Sequence, residues 1–431
     1  MKKVIRAFFY LLILSFILPS GTFISLPIKT AFSVVLILLL AVYNRKFFFD
    51  QATIILGGVL IFLVGWAGLS FIGGYRDMVL SFLKNYFSII FILWLTFELP
   101  KMGIISIKDV SKILGIVSIG IIAIKFFTCV FFSLELIKMG RVYQLFKQIF
   151  GSELTSMKIM IGPFAFYRVM SSNDHIPLVW FAFYLFSHVK LWKKIVLIVM
   201  MALYAFIVYS RVAIAEYGIL LATYVIVLLR ERHKQGKKDW LKIIIGSAII
   251  VGLAVVLLTN KKLNLMNAII SRFSGESTAE SDQIRNVQFE YLWNGFKASP
   301  IYGHGAGSYV KEFIRNSAAK YSYELEYLSF LYQFGVAGFL LVIAPVMYVS
   351  CRYSLVKIKD SNVRILIIVN LLIWLARPFF NPSFLSSNSA IIIVIIFAMS
   401  RYLDYEKAGE KCDPCFINQV TGNLESSLMD E

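Results

Sequence analysis

A chain of 431 residues with 59% hydrophobic and 16% charged residues is not an ordinary soluble enzyme, because soluble domains carry about 45–50% apolar and about 25% charged residues. The net charge of +18 does not point to nucleic acid. The basic residues fall in short clusters between apolar runs, where they face lipid headgroups and set orientation.

A membrane-spanning helix needs about 20 apolar residues. In chain order, the apolar runs predict spans near 5–24, 28–43, 53–73, 78–98, 113–133, 174–190, 193–210, 212–230, 242–259, 326–350, 364–377 and 385–402. That is about twelve transmembrane helices; 28–43, 174–190 and 364–377 are short or interrupted, so eleven or thirteen stay open. The first run, MKKVIRAFFYLLILSFILPSG, has the charge and apolar length of a secretory signal. It lacks a small-residue cleavage site and leads at once into further spans, so a retained first helix is expected.

Short cytoplasmic loops carry the excess of Lys and Arg. With the N-terminus inside, the inner segments hold Lys2, Lys3 and Arg6, then Arg45 and Lys46, then Lys101, Lys108 and Lys112, then Lys190, Lys193 and Lys194. The loops RERHKQGKKDWLK and CRYSLVKIKDSNVR follow the same rule, while Lys29, Arg76, Arg211 and Arg377 are isolated on the outer side. The expectation is an all-α polytopic membrane protein with both termini cytoplasmic. Residues 1–403 form its membrane domain and 404–431 a cytoplasmic tail, with two large loops on the outer side at about 134–173 and 260–325. The tail carries Cys412 and Cys415 in CDPC, which without a second ligand pair is weak evidence for zinc or redox chemistry. No metal site is assigned.

No inner loop is long enough for a nucleotide-binding domain, and no GxxxxGK[ST] occurs. Chemistry here draws its free energy from an activated substrate or from a gradient. The stretch SPIYGHGAGSYVKEF in the second outer loop, with Gly303, Gly305 and Gly307 around His304, resembles a phosphate cradle only superficially. Its glycines suit sharp turns and close backbone approach to a ligand or to the next segment.

Three patches follow one another along the chain. YRVMSSNDHIP precedes one span, and YSRVAIAEYGILLA opens another with a Ser-Arg pair. SDQIRNVQFEYLWNGFKASPIYGHGAGSYVKEF reads as an amphipathic helix, a breaker and a Gly-rich turn, and YELEYLSFLYQFGVAGFLL then enters a span. Together they resemble the O-antigen polymerase and O-antigen ligase superfamily of bacterial membrane glycosyltransferases. That resemblance would make the two large outer loops periplasmic loops of a bacterial inner-membrane protein. Ligases of that superfamily typically place a His about eleven residues before the Gly that enters the next span. Glu324 stands there, ahead of Gly335, so the resemblance leans to a polymerase of the Wzy type.

The resemblance implies a substrate, undecaprenyl diphosphate-linked oligosaccharide, presented at the outer leaflet and handled without cofactor or metal. It also implies a chain-length regulator and a flippase as partners. Arginines suit a departing diphosphate, because guanidinium stays charged and binds phosphate oxygens bidentately. Arg168, Arg211, Arg272 and Arg285 are the candidates. Arg211 is the sharpest, at the outer end of two spans joined by almost no loop, where an ionisable group is costly; its alternative is snorkelling to the headgroups. An attacking sugar hydroxyl must lose a proton, and Glu324 and His304 are the candidate acceptors, with Glu326 behind them and Arg285 flanking the reaction. For His304 a structural turn partner is the alternative. Pro300, Gly303, Gly305 and Gly307 would form a substrate loop. Asp174 and His175 line the outer mouth, and Glu216 could orient Arg211. The competing functions are ligation of glycan onto lipid A core and transport or flipping of a lipid-linked oligosaccharide. Against transport, the two halves show no repeat and the charges gather at the outer ends rather than near the midplane.

Overall fold

The computed structural model describes residues 1–18, 27–43, 50–134, 144, 155–161, 164–234, 276–384 and 386–408. Its elements in chain order begin with α1 (Lys2–Leu14), α2 (Ile28–Tyr43), α3 (Gln51–Ile72), α4 (Arg76–Lys101) and α5 (Ile107–Ser133). A hairpin of β1 (Thr155–Ile161) and β2 (Phe164–Met170) follows, then α6 (His175–Phe186), α7 (Leu191–Val208) and α8 (Arg211–Lys234). The remainder is α9 (Glu276–Ala298), α10 (Glu326–Gly338), a π-helical turn (Phe339–Ile343), α11 (Ala344–Leu355), α12 (Ser361–Ala376) and α13 (Ser387–Ala408).

Eight helices among the described residues are long and apolar enough to cross a membrane, and the protein is a multi-pass membrane protein. They fall on eight of the twelve expected runs. α2 and α6, at 16 and 12 residues, and α1, at 13, occupy three more but are shorter than a bilayer is thick. The expected span 242–259, the CDPC pair and Arg272 lie outside the described residues. The loop expected on the outer side at 134–173 is not irregular throughout, and to that extent the all-α expectation is corrected: β1 and β2 pair antiparallel from Thr155↔Met170 to Ile161↔Phe164.

A helix apolar on every side belongs inside a bundle. α6 shows this: Ile176, Leu178, Val179, Phe181, Phe183 and Leu185 are all buried. Ile391 to Phe397 of α13 are likewise buried without a break, and α13 packs against α4, α5 and α6. The outer helices α3, α7 and α8 instead expose Ile61, Val64, Ile195, Val199 and Ile226, the apolar surface expected to face lipid.

The contacts sort the helix ends into two polar groups. At one end Asp50 caps α3 by accepting from the Thr53 amide at 2.8 Å, pairs with Lys101 and accepts from the Tyr353 hydroxyl at 3.1 Å. Burial would raise the Asp50 carboxyl, but Lys101 and the Thr53 amide hold it below its usual value. Asn362 donates to Glu231 at 2.7 Å, and Asp360 caps α12. The other end gathers the starts of α6, α8 and α10 with the ends of α7 and α12. Every residue of the first group was expected inside and every element end of the second outside.

Candidate functional site

The Gly-rich stretch from Ser299 to Gly307 is packed into the protein. α10 breaks at Gly335 (φ 59°, ψ −170°), and the loop fills the break. Val336 and Ala337 amides donate to the carbonyls of Pro300 and Ile301 at 2.9 and 3.0 Å. The amides of His304 and Gly305 donate to the carbonyls of Tyr332 and Gln333 at 3.0 and 2.8 Å. The Trp66 indole of α3 donates to the Tyr302 carbonyl at 2.9 Å. The Val336 and Ala337 amides and the Tyr332 and Gln333 carbonyls, at the break, thereby find partners in the loop.

Gly303, Gly305 and Gly307 all have positive φ, and a Cβ on Gly305 would lie 2.4 Å from the Ser70 amide nitrogen. Their close approach is to α3, α4 and α10 of the protein itself. His304 stacks on Tyr332 with ring centroids 4.5 Å apart and places Nε2 2.9 Å from the Gly295 carbonyl. The loop's far end is fixed by Lys320, which donates to Asp77 at 2.7 Å; that hydrogen bond raises the Lys320 pKa. Burial pushes the Tyr323 phenol up to about 12.

This packed loop sets the position of α9 and Glu324. Arg285 of α9 donates through Nε to Glu324 at 2.8 Å and through Nη1 to Asp282 at 3.0 Å. Glu324 also pairs with Arg315, so both of its oxygens are held by guanidiniums. Arg211, the first residue of α8, comes within 3.7 Å of the same Asp282. The structure therefore brings Arg211, Arg285 and Glu324 together through Asp282. Arg168 is buried and donates to the Val208 carbonyl at 3.2 Å, at the end of α7 where Tyr209 turns into the left-handed region. His304 and the glycines find partners in Gly295, Tyr332 and Gln333 rather than in Arg211 or Arg285. Glu326 accepts from the amides of Ser383 and Phe384 at 2.8 and 2.6 Å.

A cavity of about 430 Å³ opens beneath the arginines. Val212, Ala215, Ile219 of α8 and Ile373, Ala376 of α12 form apolar walls. Arg211, Arg285 and Arg377 face Asp282 and Glu216 at its polar end. Arg377 is 3% exposed and bound to Glu216, whose other oxygen lies 2.6 Å from His175 Nδ1. A second, polar cavity of about 310 Å³ lies on the other side, and Arg377 and His175 both line it.

Sequence reasoning placed His175 at the mouth and Glu216 near Arg211, but left Arg377 among the isolated outer charges. The criterion that singled out Arg211, an ionisable group at a span end, applies equally to Arg377 in WLARPFF. Gln288, one turn beyond Arg285, was missed as well; it is 1% exposed and its carboxamide has no partner among the described residues.

Residues 196–343 match the O-antigen ligase family. Over those residues the chain is similar to the O-antigen polymerase and ligase superfamily. The match runs from α7 through the π-helical turn and includes Arg211, Glu216, Arg285, His304 and Glu324, while His175 and Arg377 lie outside it. No curated protein matches the chain.

Proposed function

We propose that the protein polymerises lipid diphosphate-linked oligosaccharide repeat units into a surface polysaccharide such as O-antigen, at the outer face of the inner membrane. The observation that carries this reading is the cavity between α8 and α12. Its walls are apolar, as a polyprenyl chain requires, and its polar end presents three guanidiniums against two carboxylates. Asp282 is 53% exposed on its side chain and reaches both Arg211 and Arg285. An entering diphosphate would take its place, with two guanidiniums offering paired N–H donors to phosphate oxygens.

As the bond from sugar to phosphate breaks, negative charge grows on the diphosphate. Guanidiniums fixed at that point stabilise the transition state more than the bound substrate, which raises the rate. Glu324 orients Arg285 from the far side. Glu324 in place of the ligase-type His favours polymerisation over ligation. The α9 helix and its loop would then lie over the donor.

The test is the purified protein in detergent, given only an undecaprenyl diphosphate-linked repeat unit and a chelator. A ladder spaced by one repeat is expected, with loss of about 100-fold or more when one transition-state donor is removed in Arg211→Ala or Arg285→Ala. Absence of a ladder together with transfer onto a lipid A core acceptor would establish ligation instead. Failure of both would leave transport.

A further inference from the structure

We infer that the polar cavity beside Arg377 is the subsite for the acceptor glycan, and that His175 accepts the proton of its attacking hydroxyl; this rests on the glycan-transfer reading above. The cavity, at about 310 Å³, is at the small end of the range for ligand pockets, about 300–1,000 Å³. That size suits a sugar rather than a polyprenyl chain. Three elements converge on it: the start of α6 with His175, the α7–α8 turn with Ser210, and the segment after α12 with Asn381 and Ser383.

Among the described residues the Ser210 hydroxyl, the Asn381 carboxamide, the Ser383 hydroxyl and His175 Nε2 have no protein partner. Neutral groups that both donate and accept are what a polyol needs. The charged groups of the wall have counter-charges of their own. Asp174 is paired with Lys125 and accepts from the Ser171 amide at 3.1 Å, and Arg377 is paired through Nη2 with Glu216, its Nε being left without a partner among the described residues. The neighbouring cavity, with its arginines and apolar walls, takes an anionic lipid. This one takes an uncharged sugar, and Arg377 stands on the boundary between them.

The proton acceptor follows from the same geometry. A carboxylate only accepts, so the contact between Glu216 and His175 Nδ1 places the ring hydrogen on Nδ1 and leaves Nε2 with a free lone pair. The acceptor hydroxyl oxygen bonds to the anomeric carbon of the donor while the bond from that carbon to the diphosphate oxygen breaks. The electron pair leaves with the lipid diphosphate, facing Arg211 and Arg285, and the hydroxyl proton passes to Nε2. Glu216 stabilises the imidazolium that forms, which then loses its proton to water. One displacement inverts the anomeric centre. Glu324 has both oxygens engaged by Arg285 and Arg315, whereas His175 Nε2 has no protein partner among the described residues.

The probe is the repeat-unit oligosaccharide released from its lipid by mild acid, with binding to the purified protein followed by saturation-transfer NMR. The parent protein is expected to bind it, and Asn381→Leu and Ser210→Leu to weaken binding at least tenfold with unchanged melting. His175→Gln keeps a donor for Glu216 and is expected to bind the oligosaccharide normally while elongation falls about 100-fold or more. Should His175→Gln not fold, His175→Asn serves in its place. No binding by the parent, or equal binding by both leucine variants, overturns the subsite. Elongation near the parent rate in His175→Gln overturns the proton transfer. Binding lost in the leucine variants without any ladder from the parent keeps the sugar site and sinks the transfer reading alone.

Discussion

Glu216 and Arg377, 2% and 3% exposed, are bound to each other between α8 and the end of α12. Removing one member of such a pair leaves a buried charge without a counter-charge, at a cost of about 3–5 kcal/mol, whereas replacing both by apolar groups can be close to neutral. Arg377→Met and Glu216→Leu are therefore each expected to lower the melting temperature in detergent sharply. The double variant should melt above either single one, because the two effects are coupled. A double variant as damaged as the sum of its parts would mean the pair does not act as a unit. The sequence shows why such residues are half legible. An arginine at the end of an apolar run is visible as a costly charge, which is how Arg211 was found. Its carboxylate partner lies 161 positions away, and no periodicity or spacing connects the two. The pair of Arg285 with Glu324, 39 positions apart, became visible only as members of one loop.

The Gly-rich loop and the broken helix α10 form one element although a helix start separates them in sequence. Turn chemistry predicted that the glycines adopt special backbone conformations. It could not say which surface they approach, because that surface is made by α3, α4 and α10. The distinction gives two different expectations for one substitution type. Gly74 has φ +80° and open space around its would-be Cβ, so Gly74→Ala is expected to cost only backbone strain, about 1–2 kcal/mol. Gly305, at φ +99°, would add a collision with the Ser70 backbone. Gly305→Ala should lose clearly more stability than Gly74→Ala in thermal melts, and it should weaken elongation as well, since the same loop holds α9 and Arg285 in place. Equal melts would show that the loop can lift off α3. The β-hairpin was missed for a different reason. Gly162 and Pro163 stand between two apolar stretches in the manner of a short hairpin connection, but within a chain so rich in apolar helix that signal is overshadowed by the search for spans.

At the scale of the whole molecule, hydropathy and charge counting gave the bundle because both report on a single dominant solvent boundary. Among the described residues, eight of the apolar runs became membrane-length helices close to where they were expected. Of the shorter ones, α6 is sheathed by α5, α8 and α13. What patterning cannot give is the pairing of helix ends, and here the contacts supply it independently. Asp50, Lys101 and Tyr353 meet at one end, while Arg211, Arg285 and Glu324 are linked at the other. The two groups coincide with the inner and outer sides assigned from Lys and Arg alone. A labelling experiment can then test orientation without reference to function. In a background with the four cysteines replaced by Ser, Tyr302→Cys, 60% exposed in the outer loop, is expected to react with a membrane-impermeant maleimide in intact spheroplasts. Val356→Cys, 39% exposed at the opposite end, should react only after lysis. The reverse pattern would turn the molecule over and put the arginine-lined cavity on the cytoplasmic side, where a substrate at the outer leaflet could not reach it, so the same result that inverts the topology would also remove the proposed polymerase.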